Sequence, residues 1–248
     1  MQIITNADDL GINGEVNNAI FDLMSEGLVT SATLLANGPA MAEACSLIHR
    51  FPRCSFGVHL NLTKFKPLSR GRGLSPLLNE QGTFNGRIRE IGGWGRIRQA
   101  VFDEWCAQID TLAGRGVAIS HLDSHHHVHT ILKLFTVLKA IQREYAIRKV
   151  RLSWNVYHPA TKLPRLMLLK KGFFNELLRR WYGTRTTAAF TDLPSFCANR
   201  GDFPSRHDSV EIMLHPRGAA SSGETALLRE LAVSDLDFRN SLISYNEL

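Results

Sequence analysis

Short apolar runs alternate with segments of helical periodicity along almost the whole of this chain, and that alternation restricts its fold more than any other feature. Ile3–Asn6, Thr30–Ala36, Ser55–Leu62, Val117–Leu122, Val150–Trp154, Thr186–Phe190 and Val210–Leu214 read as strands. Between them, Val16, Ala19, Ile20, Leu23 and Met24 repeat at helical spacing, and Gly27 can end that helix. Ala40–Phe51, the stripe Ile97, Val101, Trp105, Ile109 and Leu112, Ile131–Tyr145, Leu163–Trp181 and residues 222–232 also read as helices. Strands joined through helices run parallel, so the expected class is α/β, with the sheet either open or closed into a barrel. Residues 63–92 are rich in Gly, Pro, Arg and Asn and lack periodicity, which predicts a long loop or lid.

The 248 residues and 44% hydrophobic content suit one domain of barrel size, 1–248, without linker or internal repeat. No apolar run reaches the length of a membrane span, and the N-terminus lacks a basic, apolar leader, so a cytoplasmic protein is expected. Cys45, Cys54, Cys106 and Cys197 form no CxxC pair, which excludes a thioredoxin motif and gives no sign of a cysteine zinc site. The net charge of +6 is concentrated in Arg87–Arg98 and Lys162–Arg180. A basic amphipathic insertion over 162–182 reads first as a solvated face, with contact to a membrane or a lipid-linked substrate as the alternative. No nucleic-acid motif accompanies the charge. A homodimer is the commonest assembly for such a chain.

The candidate chemistry sits at strand ends. Five of the ten histidines lie in His121-Leu122-Asp123-Ser124-His125-His126-His127-Val128-His129. Imidazole is the commonest protein metal ligand. His121, Asp123 and His125 alternate and can share a strand face, whereas His125 and His129 would share a face only if a helix starts there. Five histidines cannot all bind one ion, and His126 or His127 should line the site or face solvent. Asp8-Asp9 follows the first strand. Two adjacent carboxylates repel unless a cation intervenes, and otherwise Asp8-Asp9 would serve as a helix cap. His59 faces away from Val58, Leu60 and Leu62 on its strand, and His215-Pro216 ends the last one. Either histidine taken alone reads as readily as a packed side chain.

Together these motifs resemble the YdjC-like family of carbohydrate deacetylases. The matching stretches are Asn6-Ala7-Asp8-Asp9-Leu10-Gly11, Thr30-Ser31-Ala32-Thr33, Gly57-Val58-His59-Leu60-Asn61-Leu62, the histidine-rich stretch 121–129, Met213-Leu214-His215-Pro216 and the tail 242–248. The resemblance implies a distorted (β/α) barrel related to NodB-type polysaccharide deacetylases, and hydrolysis of the N-acetyl group of an amino sugar or oligosaccharide. It assigns Asp9, His59 and His125 as metal ligands, Asp8 as general base and His215 as general acid. Asp123, His121 and His129 fall to supporting the ligands or touching substrate. The family implies Mg²⁺, while two imidazoles and a carboxylate also suit Zn²⁺. Two features depart from the family. Arg217 stands between His215-Pro216 and Gly218, and 162–182 carries no family motif. A hydrolase of another bond, such as a phosphoester, would use the same donors, and a non-catalytic sugar-binding protein would leave the Asp8-Asp9 pair unexplained. Trp154, Tyr157 and Trp181 are available either to stack on a sugar or to pack in the core.

Overall fold

The computed structural model describes residues 1–92, 94–217 and 223–248. The chain runs β1 (Gln2–Leu10), α1 (Gly14–Ser25), β2 (Ser31–Leu34), α2 (Met41–Leu47), β3 (Ser55–Leu60), α3 (Trp94–Ala113), β4 (Ile119–Ser124), α4 (Phe135–Glu144) and α5 (Arg165–Arg180). It continues through β5 (Ala189–Asp192), α6 (Leu193–Asn199), α7 (Phe203–Arg206), β6 (Ser209–Leu214), α8 (Gly223–Ser234) and α9 (Leu236–Asn240). The strands form one parallel sheet in the order β4-β3-β2-β1-β6-β5. β2, β3 and β6 are buried along their full length, as expected where helices cover one face and a barrel interior the other.

The sheet is strongly curled. β4 and β6 stand four strand spacings apart, about 19 Å if the sheet were flat. Even so, Asp123 on β4 and Glu211 on β6 both reach the guanidinium of Arg151. Arg151 lies on the segment that joins the two edges. On one side the Leu122 amide donates to Lys149 O and the Arg151 amide to Leu122 O; on the other, the Val150 amide donates to Arg185 O and the Asn155 amide to Phe190 O. This is the parallel α/β sheet expected from the sequence, curled in a way compatible with a distorted barrel, with one correction. Val150–Trp154 is not a ladder strand, because it makes only the single parallel bridge Leu122–Val150 before turning away to β5.

One other expectation is corrected, and a second is given detail. Asp8 and Asp9 lie on β1 and do not form a turn after it. The register against β2 slips between Ala7 and Leu10, and Asp9 takes φ = 68°. This bulge turns two adjacent carboxylates toward one end of the sheet, where a regular strand would send them to opposite faces. The cap of α1 is Asn13, whose side chain accepts from the Val16 amide, so neither aspartate is needed for it. Residues 63–92 are a packed flap. Leu74, Leu77, Phe84 and Ile88 are buried, and the buried Glu104 carboxylate of α3 accepts from the Leu68 and Ser69 amides. All four cysteines are free thiols. The helix expected over 222–232 is α8, although position 222 and the comparison at Gly218 lie outside the described residues.

Candidate active site

The carboxyl ends of β1, β3, β4 and β6 surround a cleft of about 700 Å³. Asp8, Asp9, His59, His125 and His215 line it, with Thr63 and Lys64 from the flap and His126, His127 and Arg217 at its walls. Asp9 Oδ1 lies 3.4 Å from His59 Nε2 and 2.8 Å from His125 Nδ1. Ligand atoms of these three residues fall within 4.8 Å of one another.

The donor chemistry of this trio fits a cation. His59 Nδ1 stands 2.7 Å from Asp123 Oδ1, and a carboxylate can only accept, so Nδ1 carries a proton and Nε2 is the nitrogen that faces Asp9. In the neutral form that a metal ligand must take, two acceptors would confront each other. Asp9 Oδ1 is buried and makes no hydrogen bond to either imidazole despite the short separations. The local potential also calls for positive charge. Burial alone would lower the pKa of His59, but Asp123 and Asp8 reverse this and push it up to about 10. Thr33 Oγ1 donates to Asp123 Oδ2 at 3.0 Å, which fixes the carboxylate that orients His59.

Asp8 stands apart from the trio. Arg151 grips it with both terminal nitrogens, Nη1 to Oδ2 at 2.7 Å and Nη2 to Oδ1 at 2.6 Å, and Asn6 Nδ2 donates to Oδ1 at 2.9 Å. Burial opposes ionisation of Asp8, but the guanidinium outweighs it and holds the carboxyl well below the usual range. His215 Nε2 is 3.9 Å from Asp8 Oδ2, and its ring is 42% exposed at the cleft mouth. The backbone amide of His215 donates to Glu224 Oε2 at 2.7 Å, which ties the end of β6 to α8.

A polar floor supports these groups. Arg151 Nε donates to Glu211 Oε1, and the Tyr245 hydroxyl donates to Glu211 Oε2. Burial raises the pKa of Glu211 against the pull of Arg151. The Tyr245 ring stacks on His121 with centroids 3.7 Å apart. A Cβ on Gly57 would come within 2.6 Å of that imidazole, so the glycine of the Gly57-Val58-His59 motif makes room for His121.

The histidine-rich stretch divides its labour. His125 joins the trio. His126 and His127 take φ = 53°, so the chain after β4 is a kinked 3₁₀ segment and His125 and His129 do not share a helical face. His129 lies behind the cleft, fully buried, donating from Nε2 to Arg151 O at 3.1 Å and accepting at Nδ1 from Ser124 Oγ. His121 lies beneath Asp123, in the floor. Trp154 stacks on Tyr157 and meets His127 and Phe190, while Trp181 packs on Phe135. Arg151, Glu211, Tyr245 and Glu224 were not legible as functional from sequence. Only the match of the tail over 242–248 pointed toward Tyr245.

The buried neutral rings give the protein an acid limit. Burial holds His121 and His129 well below an ordinary histidine, so protons enter the unfolded chain first. Their contribution is complete above about pH 6.5 and is lost below it, at up to about 1.4 kcal/mol per ring per pH unit. His59, with its raised pKa, acts in the opposite sense but only above that value. Urea unfolding of the metal-free protein should therefore lose about 2 kcal/mol between pH 6.5 and 5.5. A flat profile across that interval would show that these rings are not held neutral.

Comparisons with known proteins identify the family. The family model described as YdjC-like protein matches residues 2–237. A protein of Halalkalibacterium halodurans named carbohydrate deacetylase is 34% identical over 220 residues, covering 87% of this chain and 85% of its own. A carbohydrate deacetylase of Vibrio campbellii is 30% identical over 251 residues, covering 95% and 88%. A crystal structure from Enterococcus faecalis V583, of a protein with a suggested role in cellobiose-phosphate cleavage, superposes with a TM-score of 0.78 at 25% identity, covering 99% of this chain and 98% of that one. With nearly its whole length matched, this chain belongs to the YdjC-like family.

Proposed function

We propose that this protein hydrolyses the N-acetyl group of an acetylated amino sugar or oligosaccharide, with a divalent ion held by Asp9, His59 and His125. The observation that carries this reading is the separation of roles within one cleft. Asp8, outside the trio, is held ionised by Arg151, and His215 lines the same cleft with Nε2 3.9 Å from Asp8 Oδ2. The names of the relatives support the substrate class and the reaction.

When bound, the ion would polarise the acetyl carbonyl and make water more acidic. Asp8 takes the proton from the attacking water as the C–O bond forms. His215 delivers a proton to the nitrogen as the C–N bond breaks, because an unprotonated amine is a poor leaving group. The products are acetate and a free amine. Arg151 keeps Asp8 in one orientation and ionised at any working pH. Ordered donors of this kind need no reorganisation during the reaction. Mg²⁺ is the ion implied by the family and Zn²⁺ the one that two imidazoles would favour.

An acetate-release screen over N-acetylglucosamine oligomers, peptidoglycan fragments and lipid-linked amino sugars, with Mg²⁺ and Zn²⁺ compared, tests the reading. Release of phosphate instead would favour phosphoester hydrolysis. His59→Ala and His125→Ala should each weaken metal binding by at least about tenfold, measured by isothermal titration with the same ions. Unchanged affinity in both variants would move the metal to another set of ligands.

A further inference from the structure

α5 packs on the body of the protein through Phe174, Asn175 and Leu178, all buried. On its other side Leu166, Leu169 and Phe173 are 62%, 70% and 60% exposed. Spacings of three and four residues align them in one stripe, and at 3.6 residues per turn Leu169 lies roughly opposite the Phe174–Leu178 side. None of residues 164–170 is buried, so the first turns of the helix stand clear of the domain. Lys162, Arg165 and Lys170 are exposed around the stripe, and the sequence holds no Asp or Glu between Glu144 and Glu176.

An apolar stripe on a soluble surface calls for a partner, and the charge beside it narrows the choice. A second copy of this chain would bring one cationic strip against another of the same sign. An anionic bilayer satisfies both properties at once, with phosphates for the bases and the acyl boundary for the leucines. The helix cannot span. Its 16 residues measure about 24 Å and carry several cations, and among the described residues no helix is long and apolar enough to cross a membrane.

We propose that the exposed half of α5 docks on the surface of an anionic lipid bilayer. Leu166, Leu169 and Phe173 then enter the boundary between headgroups and acyl chains, and Lys162, Arg165 and Lys170 meet the phosphates. Docking also places the cleft. Lys171 Nζ donates to the Tyr157 hydroxyl, Tyr157 stacks on Trp154, and Trp154 meets His127 in the cleft wall. These contacts run from α5 to a wall of the cleft, and on this proposal an amino sugar on a lipid carrier would be presented near it. That last consequence rests on the deacetylase reading; the docking itself does not.

Vesicle sedimentation of the full chain tests the docking. The protein should pellet with phosphatidylcholine–phosphatidylglycerol vesicles and bind at least about tenfold more weakly to phosphatidylcholine alone, or at high salt. The double variant Leu169→Glu/Phe173→Glu should lose at least about tenfold in binding to the anionic vesicles. Its circular dichroism and its turnover of soluble substrate should not change, because neither side chain lines the cleft. Equal pelleting on neutral and anionic vesicles, or a double variant that pellets like the wild type, would overturn the proposal. So would a wild-type dimer that the double variant dissolves without any vesicle binding, which would give the face to a second copy. Asp8→Asn should pellet like the wild type, so failure of docking and failure of the catalytic reading are read separately.

Discussion

Asp8→Asn should lower the rate of acetate release by at least about 10³-fold while the protein still binds its divalent ion, a loss at the upper end of what a positioned base contributes. The amide keeps the size of the side chain and one acceptor for Arg151, but cannot take a proton from water. Asp8 is not part of the Asp9, His59 and His125 trio, so affinity for the ion, read by titration, should stay within a few-fold of the wild type. KM should move less than kcat, since the base acts mainly in the transition state. Activity within tenfold of wild type in a folded, metal-loaded variant would remove Asp8 from the role of base.

The second large effect is on stability. Arg151→Met should destabilise the fold by at least about 3–5 kcal/mol, the cost of stranding buried charge by removing one partner. The guanidinium is fully buried and meets Asp8, Asp123 and Glu211. Without it three carboxylates from three strands face one another in the barrel interior. A small domain has about 5–15 kcal/mol in all, so the variant should be largely insoluble at growth temperature. Adding Glu211→Gln to Arg151→Met should recover part of the loss, because one stranded charge is removed. Urea denaturation of both variants checks this. An Arg151→Met protein within 1 kcal/mol of wild type, a bound set on the scale of an exposed ion pair, would mean that the cluster is solvated and not part of the core.

The parts of this molecule that could be read in advance are those written in local sequence. The alternation of apolar runs and helical stripes located most elements, and Asp9, His59 and His125 converge as their placement at strand ends suggests. What escaped depends on distant parts of the chain. Arg151 sits in a run that reads as an ordinary strand, and nothing nearby says that its three carboxylate partners come from β1, β4 and β6. The bulge at Asp9 is a one-residue register slip, and Asp9 itself is no glycine to mark it. His129 shares the composition of the cluster but not its location, because the left-handed pair His126 and His127 redirects the chain after His125, while His121 lies further back on β4, against Tyr245 and Gly57. The flap at 63–92 looked structureless because its buried residues, Leu74, Leu77, Phe84 and Ile88, follow no regular period.

The placement of β1 also governs the order in which the barrel can be assembled. β1 lies in the middle of the sheet, and its partner on one side is β6, with Gln2 opposite Ser209 and Ala7 opposite Leu214. Closing a pairing across about two hundred residues carries one of the largest loop entropies in the molecule, and such contacts form late. During synthesis the first strand therefore waits with one edge unpaired until β6 emerges, and Asp8 waits beside it without Arg151. The two carboxylates at the heart of the cleft belong to the first of the sheet's strands to be made, yet they acquire their final electrostatic surroundings only when folding ends.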